Sequence, residues 1–90
     1  MTTHTTLLGV LKKARDLIST GECPGVIDAI SSLRSETTGR MRDLAYYALL
    51  ETVMMDKGVA SISVLSRPES QDATVELFDT TIRRITSTLH

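Results

Sequence analysis

Val75-Glu76-Leu77-Phe78-Asp79-Thr80-Thr81-Ile82-Arg83-Arg84-Ile85-Thr86-Ser87-Thr88-Leu89 carries the clearest helical pattern in the chain. Val75, Phe78, Ile82, Ile85 and Leu89 stand three, four, three and four positions apart, which is the repeat of a helix with one apolar seam. Two heptads are too few for an independent coiled coil, so the seam predicts either packing against helices of the same chain or an association surface. Ser70 or Asp72 is the expected N-cap, at the end of a loop over Arg67-Pro68-Glu69-Ser70.

Working back along the chain, residues 59–66 combine Ile62 and Val64 with other β-branched neighbours. A short helix or extended connector is the preferred reading, because a lone strand has no partner for its backbone groups. Before it, a helix is predicted from about Arg40 to Lys57 and is stopped by Gly58. Met41, Leu44, Ala45, Ala48, Leu49, Thr52 and Met55 form one broad face of it, and Tyr46, Tyr47, Leu50, Val53 and Met54 widen that face beyond half the circumference. Such a helix is expected to be central to the fold or half-covered by a partner. Arg34 to Gly39 reads as a polar loop. A short helix opened by Pro24 should turn Val26, Ile27, Ala29, Ile30 and Leu33 inward. From Leu7 to Ile18, Leu7, Leu11, Ala14 and Ile18 recur at steps of three and four, with Val10 and Leu17 beside them. That helix expects Thr5 or Thr6 as its N-cap and Gly21 as its left-handed exit.

The fold expected is an all-α small bundle of four to five helices, forming a single helical domain over residues 1–90 with residues 1–5 disordered. The alternative is α+β with one short strand at about 59–65. Leu11, Ile18, Ile30, Leu44, Ala48, Phe78, Ile82 and Ile85 are the expected core. Ninety residues suffice for one core only. Apolar residues are 41% and charged residues 23% of the chain, which is ordinary globular usage.

Ten Lys plus Arg balance eleven Asp plus Glu for a formal charge of -1, which lowers the case for a dedicated nucleic-acid binder without removing it. Local clusters remain: Lys12 with Lys13, Arg40 with Arg42, and Arg83 with Arg84. Converging in space they would form a basic patch for phosphate; apart, they are three solvated faces, the preferred reading. The single cysteine, Cys23, allows no intrachain disulfide and suits a reducing compartment such as the cytoplasm. No basic n-region opens the chain and no apolar run reaches about 18 residues, so neither a signal peptide nor a membrane span is expected.

Catalytic and metal chemistry find little support. His4 and His90 stand at opposite ends with Cys23 alone between them, so no metal-ligand spacing exists. Cys23 has no internal histidine as a base, the carboxylates are scattered singly, and no Gly-rich phosphate loop follows a strand. No catalytic, cofactor-binding or metal residue is therefore assigned, no cofactor is expected, and a non-enzymatic role is. The surplus of apolar helix surface in so short a chain makes association with a protein partner, or as a homodimer through the Val75–Leu89 seam, the leading expectation.

Val10-Leu11-Lys12-Lys13-Ala14-Arg15-Asp16-Leu17-Ile18, residues 23–30, and Val75-Glu76-Leu77-Phe78-Asp79-Thr80-Thr81-Ile82 resemble a family of small uncharacterised helical proteins of bacteria and their phages, a domain of unknown function. The resemblance covers about half of the chain and rests mostly on core-forming residues. It implies a small helical phage-type accessory protein, in the host cytoplasm if phage-encoded, that binds and inhibits or modulates a host defence or regulatory complex. It carries over no functional residue. The alternative role is a small nucleic-acid-binding regulator using the basic helix faces.

Overall fold

The computed structural model of the protein describes residues 3–58, Leu65 and residues 70–88. Four helices and no strand occur among them: α1 (Thr3–Ser19), α2 (Val26–Ser31), α3 (Gly39–Lys57) and α4 (Gln71–Thr88). The all-α bundle expected from the sequence is what the chain adopts. The proposed strand at 59–65 lies outside the described residues except for Leu65, which is helical and buried.

Each helix boundary has a local cause. Gly21 leaves α1 with φ 81, a conformation costly for any residue with a Cβ. Its N–H donates to the Ile18 carbonyl at 3.0 Å, and the Cys23 N–H donates to that of Leu17 at 3.0 Å, so the last carbonyls of α1 are satisfied. Thr38 caps α3 by accepting from the Met41 N–H at 3.1 Å, and Gly58 ends it with φ 73. Ser70 is the cap of α4: its hydroxyl accepts from the Ala73 N–H at 3.1 Å.

Several expectations are corrected at this level. Helix α1 begins at Thr3, so Thr5 and Thr6 are inside it rather than at its cap. Pro24 precedes α2 without joining it, because Gly25 is the N-cap, in an extended conformation. The loop expected from Arg34 is found as such, a set of turns in which Leu33, Arg34 and Glu36 donate to carbonyls three residues back, and only its end differs, since Gly39 already belongs to α3.

Helix α1 forms the centre of the bundle, in contact with all three others. Leu11, Ala14 and Ile18 are fully buried there, and α4 runs antiparallel beside them. The Gln71 side-chain amide donates at 2.8 Å to the carbonyls of both Ile18 and Ser19, and Arg15 reaches Asp79 at 3.0 Å. Helix α3 runs antiparallel to α4, with Thr52 against Thr81. The six-residue α2 is too short to persist alone; it is held by burying Val26, Ala29, Ile30 and nearby Leu33.

The expectation that α3 occupies the centre is corrected. Ala45, Leu49, Thr52 and Val53 are its buried face, whereas Leu44 and Ala48, expected in the core, are half-buried and Met55 is exposed. Helix α3 also touches α1, α2 and α4, but it reaches them through this one stripe and leaves its other side to solvent.

Candidate functional site

A cleft of about 520 Å³ opens between the C-terminal half of α3, the N-terminal half of α4 and the turn that enters α2, a size typical of sites that receive a small molecule or a partner side chain. Val53 and Met55 line one wall, Leu77 and Ala73 another, and Val26 and Leu65 complete the apolar surface. Asp56 and Glu76 border it and are exposed to solvent. Arg84 and Thr52 also line it.

The polar groups in the cleft are largely committed to the fold. The Thr52 hydroxyl donates to the Ala48 carbonyl at 3.0 Å and accepts from Arg84 Nη2 at 3.0 Å. Arg84 also donates to the Ala48 carbonyl at 2.9 Å and to Glu51 at 3.0 Å, locking α4 onto α3. The Thr74 hydroxyl donates to the Ser70 carbonyl at 3.0 Å. Among the described residues no buried side-chain nitrogen or oxygen lacks a partner. The cleft therefore offers methyl, methylene and thioether surface to an occupant, with the exposed carboxylates of Asp56 and Glu76 at its border.

Of the seam residues, Phe78, Ile82 and Ile85 are buried in the chain's own core, Val75 is half-buried, and Leu89 lies outside the described residues. This corrects the seam as an association surface: α1 and its neighbours cover the stripe that the spacing left open for a second chain.

The basic residues are placed on different parts of the bundle. Lys12 and Lys13 are exposed on α1, and Lys13 pairs with Glu36 at 2.8 Å. Arg40 is exposed, while Arg42 turns back to the Thr37 hydroxyl at 3.2 Å and to the Thr37 and Arg34 carbonyls. Arg83 is exposed beside Thr80, and Arg84 is bound to α3 as described. Lys13 and Arg42 thus flank the 34–37 turn, whereas Arg84 sits further along α3. A cation absent from the expected patch, Arg15, bridges α1 to α4 through Asp79. That hydrogen bond, opposed by desolvation, raises its pKa above the ordinary arginine value, so it stays charged wherever the fold persists.

The cleft itself was not anticipated from sequence. Its one advance signal was the excess apolar circumference of α3, which demanded either full burial or a covering partner. All the exposed large apolar side chains among the described residues, Tyr47, Met54 and Met55, belong to that helix.

Cys23 is buried, with its sulfur 3.5 Å from the Ser32 hydroxyl. Among the described residues, no three His, Cys, Asp or Glu side chains are grouped to hold a metal ion, and no helix is long and apolar enough to cross a membrane. No protein-family model, curated protein or solved structure matches the chain.

Proposed function

We propose that this protein is a non-enzymatic protein-interaction module whose docking site is the cleft between α3 and α4. The observation that carries this reading is an apolar cleft of about 520 Å³ with exposed Asp56 and Glu76 beside it. An apolar side chain of a partner would fill the space between Val53, Met55 and Leu77, in the manner of an interface anchor. A neighbouring Lys or Arg of the partner would meet the two carboxylates, favouring encounter and orientation more than affinity. In the cytoplasmic setting implied by the family resemblance, a chain bound in this way would act by covering a face of a larger host complex, inhibiting or modulating it.

Selection from a randomised peptide library against the immobilised protein tests the proposal. Enriched peptides are expected to share a large apolar residue with Lys or Arg nearby, and to lose binding to the Met55→Lys and Asp56→Lys variants. Because both residues are exposed, circular dichroism should be unchanged. Peptides that bind these variants as well as wild type, or no enrichment above an uncoated surface, would overturn the proposal.

A further inference from the structure

We infer that the cleft between α3 and α4 takes an extended peptide segment with a fixed order of charge: a basic residue beside Asp56 and Glu76, an apolar residue in the middle, and an acidic residue at Arg84. The inference rests on the proposed docking site and adds a polarity to it. Along α4 the lining residues follow in the order Glu76, Leu77, Thr80 and Arg84, so Arg84 stands about two turns, or about 12 Å, from Glu76. Helix α3 repeats the order, because Asp56 lies one turn beyond Thr52, the residue to which Arg84 is bonded. Exposed carboxylates therefore border one end of the cleft and a guanidinium the other, with Val53 and Leu77 between them. An extended chain advances about 3.3 Å per residue, so a base and an acid three or four positions apart span the same distance. A helix of that length fills about 1000 Å³, against about 520 Å³ in the cleft, so the extended form is the one that fits.

The fold holds Arg84 ready for a second carboxylate. Its Nη2 donates to the Ala48 carbonyl at 2.9 Å and to Thr52 Oγ1 at 3.0 Å, and its Nε donates to Thr52 Oγ1 at 3.3 Å, which fixes the guanidinium plane. Nη1 donates to Glu51 at 3.0 Å and keeps one hydrogen without an acceptor among the described residues. The Glu51 side chain is 65% exposed and that of Arg84 23%, and an ion pair with so exposed a carboxylate contributes little to stability. A peptide carboxylate can thus pair with Nη1 beside Glu51 or in its place, while the bonds to Ala48 and Thr52 stay intact. Charge-assisted pairing of this kind is stronger than a neutral hydrogen bond to the same nitrogen.

Peptides enriched by selection against the full wild-type chain test the inference, each titrated by fluorescence anisotropy beside a counterpart whose acidic residue is replaced by Gln. The enriched set is expected to carry Asp or Glu three or four positions from Lys or Arg, with a large apolar residue between. The acidic form should bind about fivefold tighter than its Gln counterpart. Glu51→Gln removes the competing carboxylate and is expected to tighten the acidic form by about threefold while leaving the Gln counterpart unchanged, a response that a merely structural ion pair would not give. Arg84→Lys should erase the preference between the two forms. Because Arg84 also joins α4 to α3, Glu51→Gln supplies the test should Arg84→Lys perturb folding. Equal binding of the two forms by wild type, or a Glu51→Gln variant that fails to tighten the acidic form, would overturn the inference. If Met55→Lys still abolishes that binding, the docking site stands and only its polarity falls; no enrichment above an uncoated surface removes both.

Discussion

Thr81 is fully buried, and its hydroxyl lies 2.8 Å from both Thr52 Oγ1 and the Leu77 carbonyl. Thr52 in turn is the acceptor for Arg84. Replacing Thr81 by Val removes one buried hydrogen bond and is expected to lower stability by about 1 kcal/mol. Thr52→Val also deprives a guanidinium of an acceptor and should cost about 2 kcal/mol. The double variant is expected to lose less than the sum, because the two methyl-bearing side chains then satisfy each other by contact; urea denaturation of the four proteins measures the difference. Neither pairing was legible in the sequence. Thr52 falls on an apolar helical face, but its partner is 29 positions away, and no local pattern specifies which threonines meet.

At the scale of elements, Gln71 shows a helix end set by its neighbour rather than by its own chemistry. An acid in the first turn of α4 would suit that helix's dipole, yet Gln71 donates to the terminal carbonyls of α1. Gln71→Glu is therefore expected to destabilise by about 1–2 kcal/mol, since a carboxylate cannot donate and faces the negative end of α1. A lowered thermal midpoint with α4 intact by hydrogen exchange is the expected observation. Gly58 behaves as its sequence position suggests: with φ 73 and open space around a Cβ, Gly58→Ala should cost about 1 kcal/mol through backbone strain alone, and Gly58→Asn less. Thermal melts rank the three. The glycine exits and the Ser70 cap were legible because they follow from local backbone chemistry. The start of α1 and the exclusion of Pro24 from α2 were not, because both depend on how much of each segment its packing holds in place.

For the whole molecule, the decisive comparison is between the two apolar helices. Helix α4 has the cleaner seam and is buried along it; α3 has the broader apolar surface and remains half-covered. Ile82→Asp should therefore abolish folding instead of producing a folded monomer. An unpaired carboxylate in the core costs several kcal/mol, against a total stability of about 5–13 kcal/mol for a chain of this size. Far-ultraviolet circular dichroism reads the outcome directly. Leu11→Ala, at a fully buried position on the central helix, should cost about 2–5 kcal/mol, and the exposed Met54→Ala less than about 0.5 kcal/mol.

The spacing of Leu7 to Ile18 and of Val75 to Ile85 determined by itself that these segments are helices and which sides of them are apolar, because helical period is a local property of the chain. Gly21, Gly58 and Ser70 determined their ends for the same reason. Which apolar sides meet was decided only by the tertiary structure. Leu11, Ile18 and Phe78 fill the centre, α3 is displaced outward, and a cleft opens where α3, α4 and the turn before α2 do not close upon one another. Volumes and directions summed over all the elements set that result, and no single segment contains them.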